Sequence, residues 1–186
     1  ILTTDHIDLL LSTIKEIHNT DSLGGFVEYY DYNQKLQDRF SSFDYLKYGL
    51  TADEQDKILS DVGFLQGDYS IIHGDLVFSN IILNNTGRIK LIDVKGKQGN
   101  ELSIFGDKLY DYAKMYQSLV GYDEILLDKE IKQSYKTKMI SHFESNFSEN
   151  EISIIKKITK SLLVSLIPLH NEPSKFEKYI NLSKKL

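Results

Sequence analysis

The 186-residue sequence contains no cysteine, which excludes disulfide bonds and metal sites built on thiolates. A chain without cysteine fits a reducing compartment, and because no secretory signal is present we expect a cytoplasmic protein. No apolar run approaches the roughly 20 residues that a membrane-spanning helix needs, so we expect no membrane span. Arginine is scarce too: Arg39 and Arg88 stand among many lysines, which we interpret as compositional bias.

The sequence also lacks the positive charge that binding to nucleic acid demands. Its formal net charge is -5 at pH 7, and no basic face is visible, so we expect no nucleic acid partner. The hydrophobic content of 41% and the charged content of 26% are typical of a globular protein. The length predicts a single domain over residues 1–186 that buries its own core.

The most informative stretch is residues 71–96, which read IIHGDLVFSNIILNNTGRIKLIDVKG. Two β-rich runs, at residues 80–83 and 88–92, flank the turn-forming letters NNTG. This pattern predicts a short β-hairpin at about residues 80–92. A loop with several polar side chains precedes the hairpin, and an aspartate follows its second strand.

These polar side chains predict a site for metal binding and proton transfer at one end of the hairpin. Phosphoryl transfer needs a positioned nucleophile and cations that neutralise the phosphate oxygens. Mg²⁺ requires only one or two protein oxygens, so Asn80 and Asp93 are candidate ligands. Asp75 is the candidate base that takes the proton of the acceptor hydroxyl. General base catalysis of this kind raises a reaction rate by about 100-fold to 10,000-fold. His73 begins the same loop, and Gly74 lets it follow a tight course.

The segments HGDLVFSN and LIDVKG resemble the catalytic and metal-binding segments of the protein-kinase-like superfamily. The glycine that follows the histidine resembles the residue at this position in the aminoglycoside phosphotransferase and choline kinase branch. The resemblance implies that Asp75 is the catalytic base, that Asn80 and Asp93 bind Mg²⁺ and ATP, and that His73 is a structural strut of the catalytic loop. It therefore implies a small-molecule kinase that transfers the γ-phosphoryl group of ATP to a hydroxyl of a sugar or an amino-alcohol.

The resemblance continues beyond the metal-binding aspartate. GDKLYDYAK, at residues 106–114, resembles the segment of that branch in which an aspartate braces the catalytic loop. Asp107 and Asp111 are the candidates for this brace, and we favour Asp111. The run from IDVKG through GYD is most similar to kinase-like domains of bacterial capsule and surface-polysaccharide biosynthesis proteins. Lys95 in IDVKG is a candidate contact to phosphate or acceptor, with a solvated lysine as the preferred alternative.

The resemblance covers the carboxy-terminal lobe only. No glycine-rich phosphate loop and no strand lysine with a partner glutamate precede the catalytic loop in this sequence. We therefore expect an α+β, mainly helical, protein-kinase-like C-terminal lobe, with the N-terminal lobe not present in a chain that begins at Ile1. Two alternatives stay open: an inactive kinase-like binding or regulatory module within a larger protein, and a metal-dependent phosphatase, which usually needs more ligands around two metals.

Capping patterns and apolar spacing predict the remaining elements. The expected helix starts are Thr4 with Asp5, Thr51 with Glu54, Asp107, Ser148 with Glu151, and Ser174 with Glu177. Apolar spacing predicts an aromatic helix over residues 27–47 and another helix over 129–147, whereas residues 95–106 are expected to form a loop. We expect the helix after Asp107 to pack under the hairpin. His18, at the end of the first helix, is interpreted as structural.

Overall fold

A computed structural model of the chain describes residues 2–20, 32–63, 65, 69–84, 87–98 and 101–186. This part of the chain is mainly helical with small antiparallel sheets, so the coarse prediction of an α+β, mainly helical fold is confirmed. Its helices are α1 (Thr4–His18), α2 (Tyr32–Ser42), α3 (Ala52–Val62), α4 (Lys108–Val120), α5 (Tyr122–Leu127), α6 (Gln133–Glu144), α7 (Glu149–Ser165) and α8 (Phe176–Ser183). Among the described residues, no helix combines the length and the apolar character needed to cross a membrane.

Three antiparallel pairs of short strands lie between the helices in the described part of the chain. The strands are β1 (Tyr69–Ile71), β2 (Ile81–Leu83), β3 (Ile89–Leu91), β4 (Lys97–Gln98), β5 (Glu101–Leu102) and β6 (Phe105–Asp107). β2 pairs with β3 in the predicted hairpin, β4 pairs with β5, and β1 pairs with β6. Two residues of the predicted turn, 85 and 86, lie outside the described residues.

Helix α4 lies at the centre of the core. Nearly all of its side chains are buried, and it packs mainly against α7, with α6 and the β1–β6 pair as further neighbours. The hydroxyl of Thr159 on α7 donates to the carbonyl oxygen of Ala113 on α4 at 3.1 Å, and both residues are fully buried. The sequence predicts that α4 packs under the hairpin, but its most extensive contacts are with α7, which covers much of its long apolar surface.

Local capping decides where several helices begin. Thr51 and Ser148 each form a capping box with a glutamate three residues later, as predicted. The side chain of Asp107 accepts a hydrogen bond from the backbone of Leu109 and caps α4, also as predicted. The other two predicted starts are wrong. Thr3, with His6 as its partner, caps α1, and α8 begins at Phe176 after a 3₁₀ turn that contains Ser174.

The predicted aromatic helix over residues 27–47 ends early. Residues 27–31 lie outside the described part of the chain, and α2 ends at Ser42. Beyond it the chain turns so that the ring of Phe43 lies 4.9 Å from that of Tyr45 and 5.5 Å from that of Phe176. The rings therefore form a cluster with α8 instead of a stripe along one helix, because contacts with α8 outweigh the local periodicity.

The prediction of a loop over residues 95–106 is also wrong in part. Strands β4 and β5 and most of β6 fall inside this range. The rings of Tyr69 and Phe105 stack across the β1–β6 pair with their centroids 5.6 Å apart. The partner of β6 lies more than 30 residues earlier in the chain, so no short-range pattern reveals this strand.

Candidate active site

The hairpin sets the positions of Asn80 and Asp93. In the β2–β3 register Ile81 lies opposite Leu91, and the backbone N–H of Ile92 donates to the carbonyl oxygen of Asn80 at 3.0 Å. Asn80 directly precedes β2, and Asp93 lies two residues after the end of β3, at the same end of the hairpin. The register thus brings these two predicted site residues together, although they are 13 positions apart in the sequence.

His73 joins the loop before the hairpin to the segment after it. Its side chain is buried, and Nε2 lies 2.9 Å from the carbonyl oxygen of Ile92. Nδ1 accepts a hydrogen bond from the backbone N–H of Asp75 at 3.3 Å, so the pattern assigns the proton to Nε2. The backbone N–H of Lys95 donates to the carbonyl oxygen of His73 at 2.9 Å. These bonds leave both ring nitrogens engaged, and His73 is placed as a structural member of the loop.

Asp111 on α4 fixes the backbone of the same loop. Its fully buried carboxylate accepts hydrogen bonds from the backbone N–H groups of His73 and Gly74, both at 2.8 Å. Nε2 of His18, at the end of α1, lies 3.1 Å from the same carboxylate. Bonds to a charged acceptor are roughly twice as strong as neutral ones. One side chain therefore ties α1, α4 and the loop together at a single point.

Asp107, the other candidate brace, occupies a different place. Its Oδ1 accepts the backbone N–H of Leu109 at 2.9 Å, and its Oδ2 accepts the hydroxyl of Tyr32 on α2 at 2.8 Å. The geometry that a brace requires, hydrogen bonds to the backbone of the 73–74 segment, is found at Asp111. Asp107 instead links the start of α4 to the start of α2.

Asp75 presents its carboxylate at the surface, with 43% of the side chain exposed. The amide nitrogen of Asn80 donates to the backbone oxygen of Asp75 at 2.8 Å and lies 3.3 Å from its Oδ2. The ammonium of Lys114, on α4, lies 3.0 Å from the other oxygen, Oδ1. The carboxylate is therefore held between an amide on one side and a cation on the other.

Asn80 and Asp93 have side-chain oxygens that suit a hard cation. Because both atoms that Asn80 Nδ2 faces are acceptors, Oδ1 points away from them, and no described residue donates to it. Asp93 is exposed and adopts a φ of 57°, a left-handed conformation that is uncommon outside glycine and costs of order 1–3 kcal/mol. One amide oxygen and one carboxylate match the small protein contribution that Mg²⁺ takes. The described residues contain no group of three or more His, Cys, Asp or Glu side chains that would hold a metal.

Lys95, the remaining predicted site residue, lies along the loop. Its Nζ is 5.4 Å from the centroid of the Tyr110 ring, within the range of a cation–π contact. Loss of hydration lowers the pKa of Lys95, and the charge of Lys114 lowers it further, while Asp75 opposes both effects. Lys95 is exposed, yet it lies near enough to Asp75 and Lys114 for their charges to act on its pKa.

Two lysines near Asp75 were not predicted from the sequence. Lys114 lies three residues after Asp111 and thus on the same face of α4, a spacing that offered a signal. Lys35 on α2 offered none, because it lies 40 positions before Asp75. Burial lowers the pKa of Lys35 to about 8, and nearby Lys95 and Lys114 act in the same direction.

No protein-family model matches this chain, and no curated protein matches it. The interpretation of the site therefore depends on its own residues and on the resemblance of its motifs.

Proposed function

We propose that this chain carries the catalytic loop of an ATP-dependent and Mg²⁺-dependent phosphotransferase whose acceptor is a hydroxyl of a small molecule, a sugar or an amino-alcohol. The resemblance of HGDLVFSN and LIDVKG to the aminoglycoside phosphotransferase and choline kinase branch supports this activity. The resemblance to capsule and surface-polysaccharide biosynthesis proteins supports a role in making such polymers. This role in polysaccharide synthesis is the most specific part of the proposal.

The observation that carries the proposal is the way the loop is fixed. The carboxylate of Asp111 holds the loop backbone, and His73 joins the loop to the strand end before Asp93. The candidate base and both candidate ligands are thus linked to one another through a few hydrogen bonds of the loop and the hairpin. Phosphoryl transfer requires preorganisation of this kind, because its rate depends on the positioning of the reactants and on neutralisation of the charge of the phosphate oxygens.

Each group has a defined role in the proposed reaction. Asp75 accepts the proton of the acceptor hydroxyl as the hydroxyl oxygen bonds to the γ-phosphorus of ATP, while the bond from that phosphorus to the β–γ bridging oxygen breaks and ADP leaves. Asn80 Oδ1 and the carboxylate of Asp93 hold Mg²⁺, which neutralises charge on the phosphate oxygens when it is bound. His73 and Asp111 touch neither substrate and act by holding the loop.

The test is phosphoryl transfer from radiolabelled ATP by the full natural polypeptide, assayed against a panel of sugars and amino-alcohols. Asp75→Asn keeps the shape of the side chain and removes the base, so we expect the rate to fall by about 100-fold or more. The matched control is Asp56→Asn, which changes an exposed aspartate on α3 and should leave the rate unchanged. An Asp75→Asn rate within a few-fold of the parent would overturn the assignment of the base.

The second candidate is a kinase-like module that binds ligands without transferring phosphate. The ion pair between Lys114 and Asp75 favours it, because the ammonium occupies Oδ1, one of the two oxygens that a hydroxyl has to approach. Calorimetry with Mg²⁺ and ATP, run beside the transfer assay, separates the two. Nucleotide binding without transfer to any acceptor of the panel would favour the module.

A further inference from the structure

Positive charge gathers around Asp75 in a chain whose overall net charge is -5. The charges come from three separate segments: Lys35 on α2, Lys95 after β3, and Lys114 on α4. We refer to these three lysines as the basic cluster. Three ammonium groups near a single carboxylate of the catalytic loop repel one another, and this repulsion destabilises the folded protein. Their proximity therefore suggests a function that outweighs this cost.

Tyr110 contacts both Lys95 and Tyr32, a residue of the helix that carries Lys35. Nζ of Lys95 faces this ring at 5.4 Å, and the ring of Tyr32 stacks on it at 6.2 Å. Lys35 lies one turn after Tyr32, so the same face of α2 carries it toward the site. The hydroxyl of Tyr32 donates to Asp107 Oδ2 at 2.8 Å, which fixes the start of α2 against α4.

The charges within the cluster are incompletely balanced. Lys114 pairs with Asp75, and among the described residues neither Lys35 nor Lys95 has a carboxylate within ion-pair distance. Lys35 is half-buried, and the charged groups near it are Lys95, Lys114, Arg39 and Asp75. Among the described residues only the last of these is acidic, so positive charge exceeds negative charge in the described surroundings of Lys35.

The two carboxylate oxygens of Asp75 face different groups. The Oδ2 atom of Asp75 faces the amide of Asn80, a candidate metal ligand, whereas Oδ1 faces Lys114. Ile81 and Ile89 of the hairpin line the same cavity as Leu10 of α1, while α2 packs against α3 and α7. A molecule that offers its hydroxyl to Oδ1 of Asp75 therefore meets the ammonium of Lys114.

We propose that the acceptor carries an anionic group, a phosphate or a carboxylate, and that the basic cluster of Lys35, Lys95 and Lys114 binds it beside Asp75. The identity of the ligand as the phosphoryl acceptor rests on the proposed function. The proposal narrows the acceptor class to sugar phosphates, sugar acids or similar hydroxylated anions. It excludes an amino-alcohol, because a cationic acceptor would be repelled by the same lysines.

The first test is binding, measured by calorimetry on the full natural polypeptide with four probes: glucose 6-phosphate, glucuronate, glucose and glucosamine. The two anionic sugars should bind at least tenfold more tightly than the neutral and cationic ones, since each 1.4 kcal/mol of charge interaction is a factor of ten. Tighter binding of one anion identifies the group as phosphate or carboxylate. Equal binding of all four probes would overturn the proposal.

Substitutions then locate the binding site. Lys35→Met should weaken binding of the anionic sugars about tenfold, whereas Lys35→Arg should retain it because arginine keeps the charge. Lys57→Met removes an exposed lysine on α3 and serves as the matched control, with no change expected. If Lys35→Met binds the anions as tightly as the parent does, the cluster is not their site.

The same site should respond to pH in a defined direction. Burial and nearby cations lower the pKa of Lys35 to about 8, so its positive charge is lost as pH rises through that value. Affinity for glucuronate, whose carboxylate does not titrate in this range, should therefore fall between pH 7 and pH 9. Lys35→Arg should remove most of this fall, and a fall that persists unchanged in Lys35→Arg would contradict the role of Lys35.

Two outcomes separate this proposal from the proposed function. Anion binding that depends on Lys35, without transfer to any acceptor, would support the proposed anion site and overturn the proposed kinase activity. Transfer to neutral or cationic acceptors at rates that Lys35→Met does not change would keep the kinase and overturn the anion site. Competition between MgATP and glucose 6-phosphate for the cluster would assign the lysines to the nucleotide phosphates and would also overturn the proposal.

Discussion

Replacing Asp111 by alanine should destabilise the protein severely, whatever reaction it performs. The carboxylate is fully buried and accepts hydrogen bonds from the backbone N–H groups of His73 and Gly74 and from the ring of His18. Each bond to a charged acceptor is worth about 1.5–3 kcal/mol, and each buried donor left without a partner costs about 1–3 kcal/mol. Because these effects overlap, we expect a total loss of about 3–5 kcal/mol in the free energy of unfolding.

Urea denaturation followed by circular dichroism measures this loss. With a denaturant slope of about 2 kcal/mol per molar, the midpoint should fall by roughly 1.5–2.5 M. Asp111→Asn keeps the volume but turns an amide N–H toward a donor, so we expect it to lose most of the same stability. Hydrogen exchange at the backbone amides of His73 and Gly74 should accelerate in both variants.

The matched control is Asp107→Ala, which removes a buried aspartate from the start of the same helix. It loses a helix cap and the bond from the hydroxyl of Tyr32, at a cost of about 1–2 kcal/mol, and should leave the exchange rates of the His73 and Gly74 amides unchanged. The reasoning is refuted if Asp111→Ala costs no more than Asp107→Ala, or if its loop amides keep their protection.

Two further predictions concern the loop and the proposed Mg²⁺ ligands. Asn80→Ala and Asp93→Ala should each shift the Mg²⁺ titration of phosphoryl transfer to higher concentration by about tenfold to 100-fold, and an unshifted curve would contradict their role as ligands. Gly74 has a φ of +77°, and an added Cβ would lie 2.9 Å from that of Lys95, so Gly74→Ala should lose about 2–4 kcal/mol in thermal or urea unfolding. Gly49→Ala isolates the backbone cost of about 1–2 kcal/mol, because Gly49 has a φ of +88° and open space around it among the described residues; equal losses in the two variants would exclude the crowding.

Local chemistry made part of the fold predictable. The capping boxes at Thr51 and Ser148 and the cap at Asp107 use residues within three positions of each other, so the sequence displays them directly. The β2–β3 hairpin is equally local, since a short turn joins its strands. The shift of the α1 cap to Thr3 is a difference of one residue between two adjacent threonines.

Long-range packing explains the failures. The helix through Phe43 ends early because that ring meets Phe176, more than 130 residues away, and strand β6 forms because β1 is available to pair with it. The same holds at the site: the sequence pointed to Asp75, Asn80 and Asp93 through their spacing, but it gave no sign of Lys35. A cation that approaches from another helix becomes visible only when the helices are packed.

The bond between His18 and Asp111 also constrains how the molecule folds. These residues are 93 positions apart, and Asp111 lies 38 positions after His73, so the contacts by which Asp111 holds the loop have a high sequence separation. Such contacts close large loops and form slowly. We therefore expect the 73–74 backbone to acquire its final geometry late, after α1 and α4 have docked, and a nascent chain to remain without a functional loop until the helix bearing Asp111 has been synthesised.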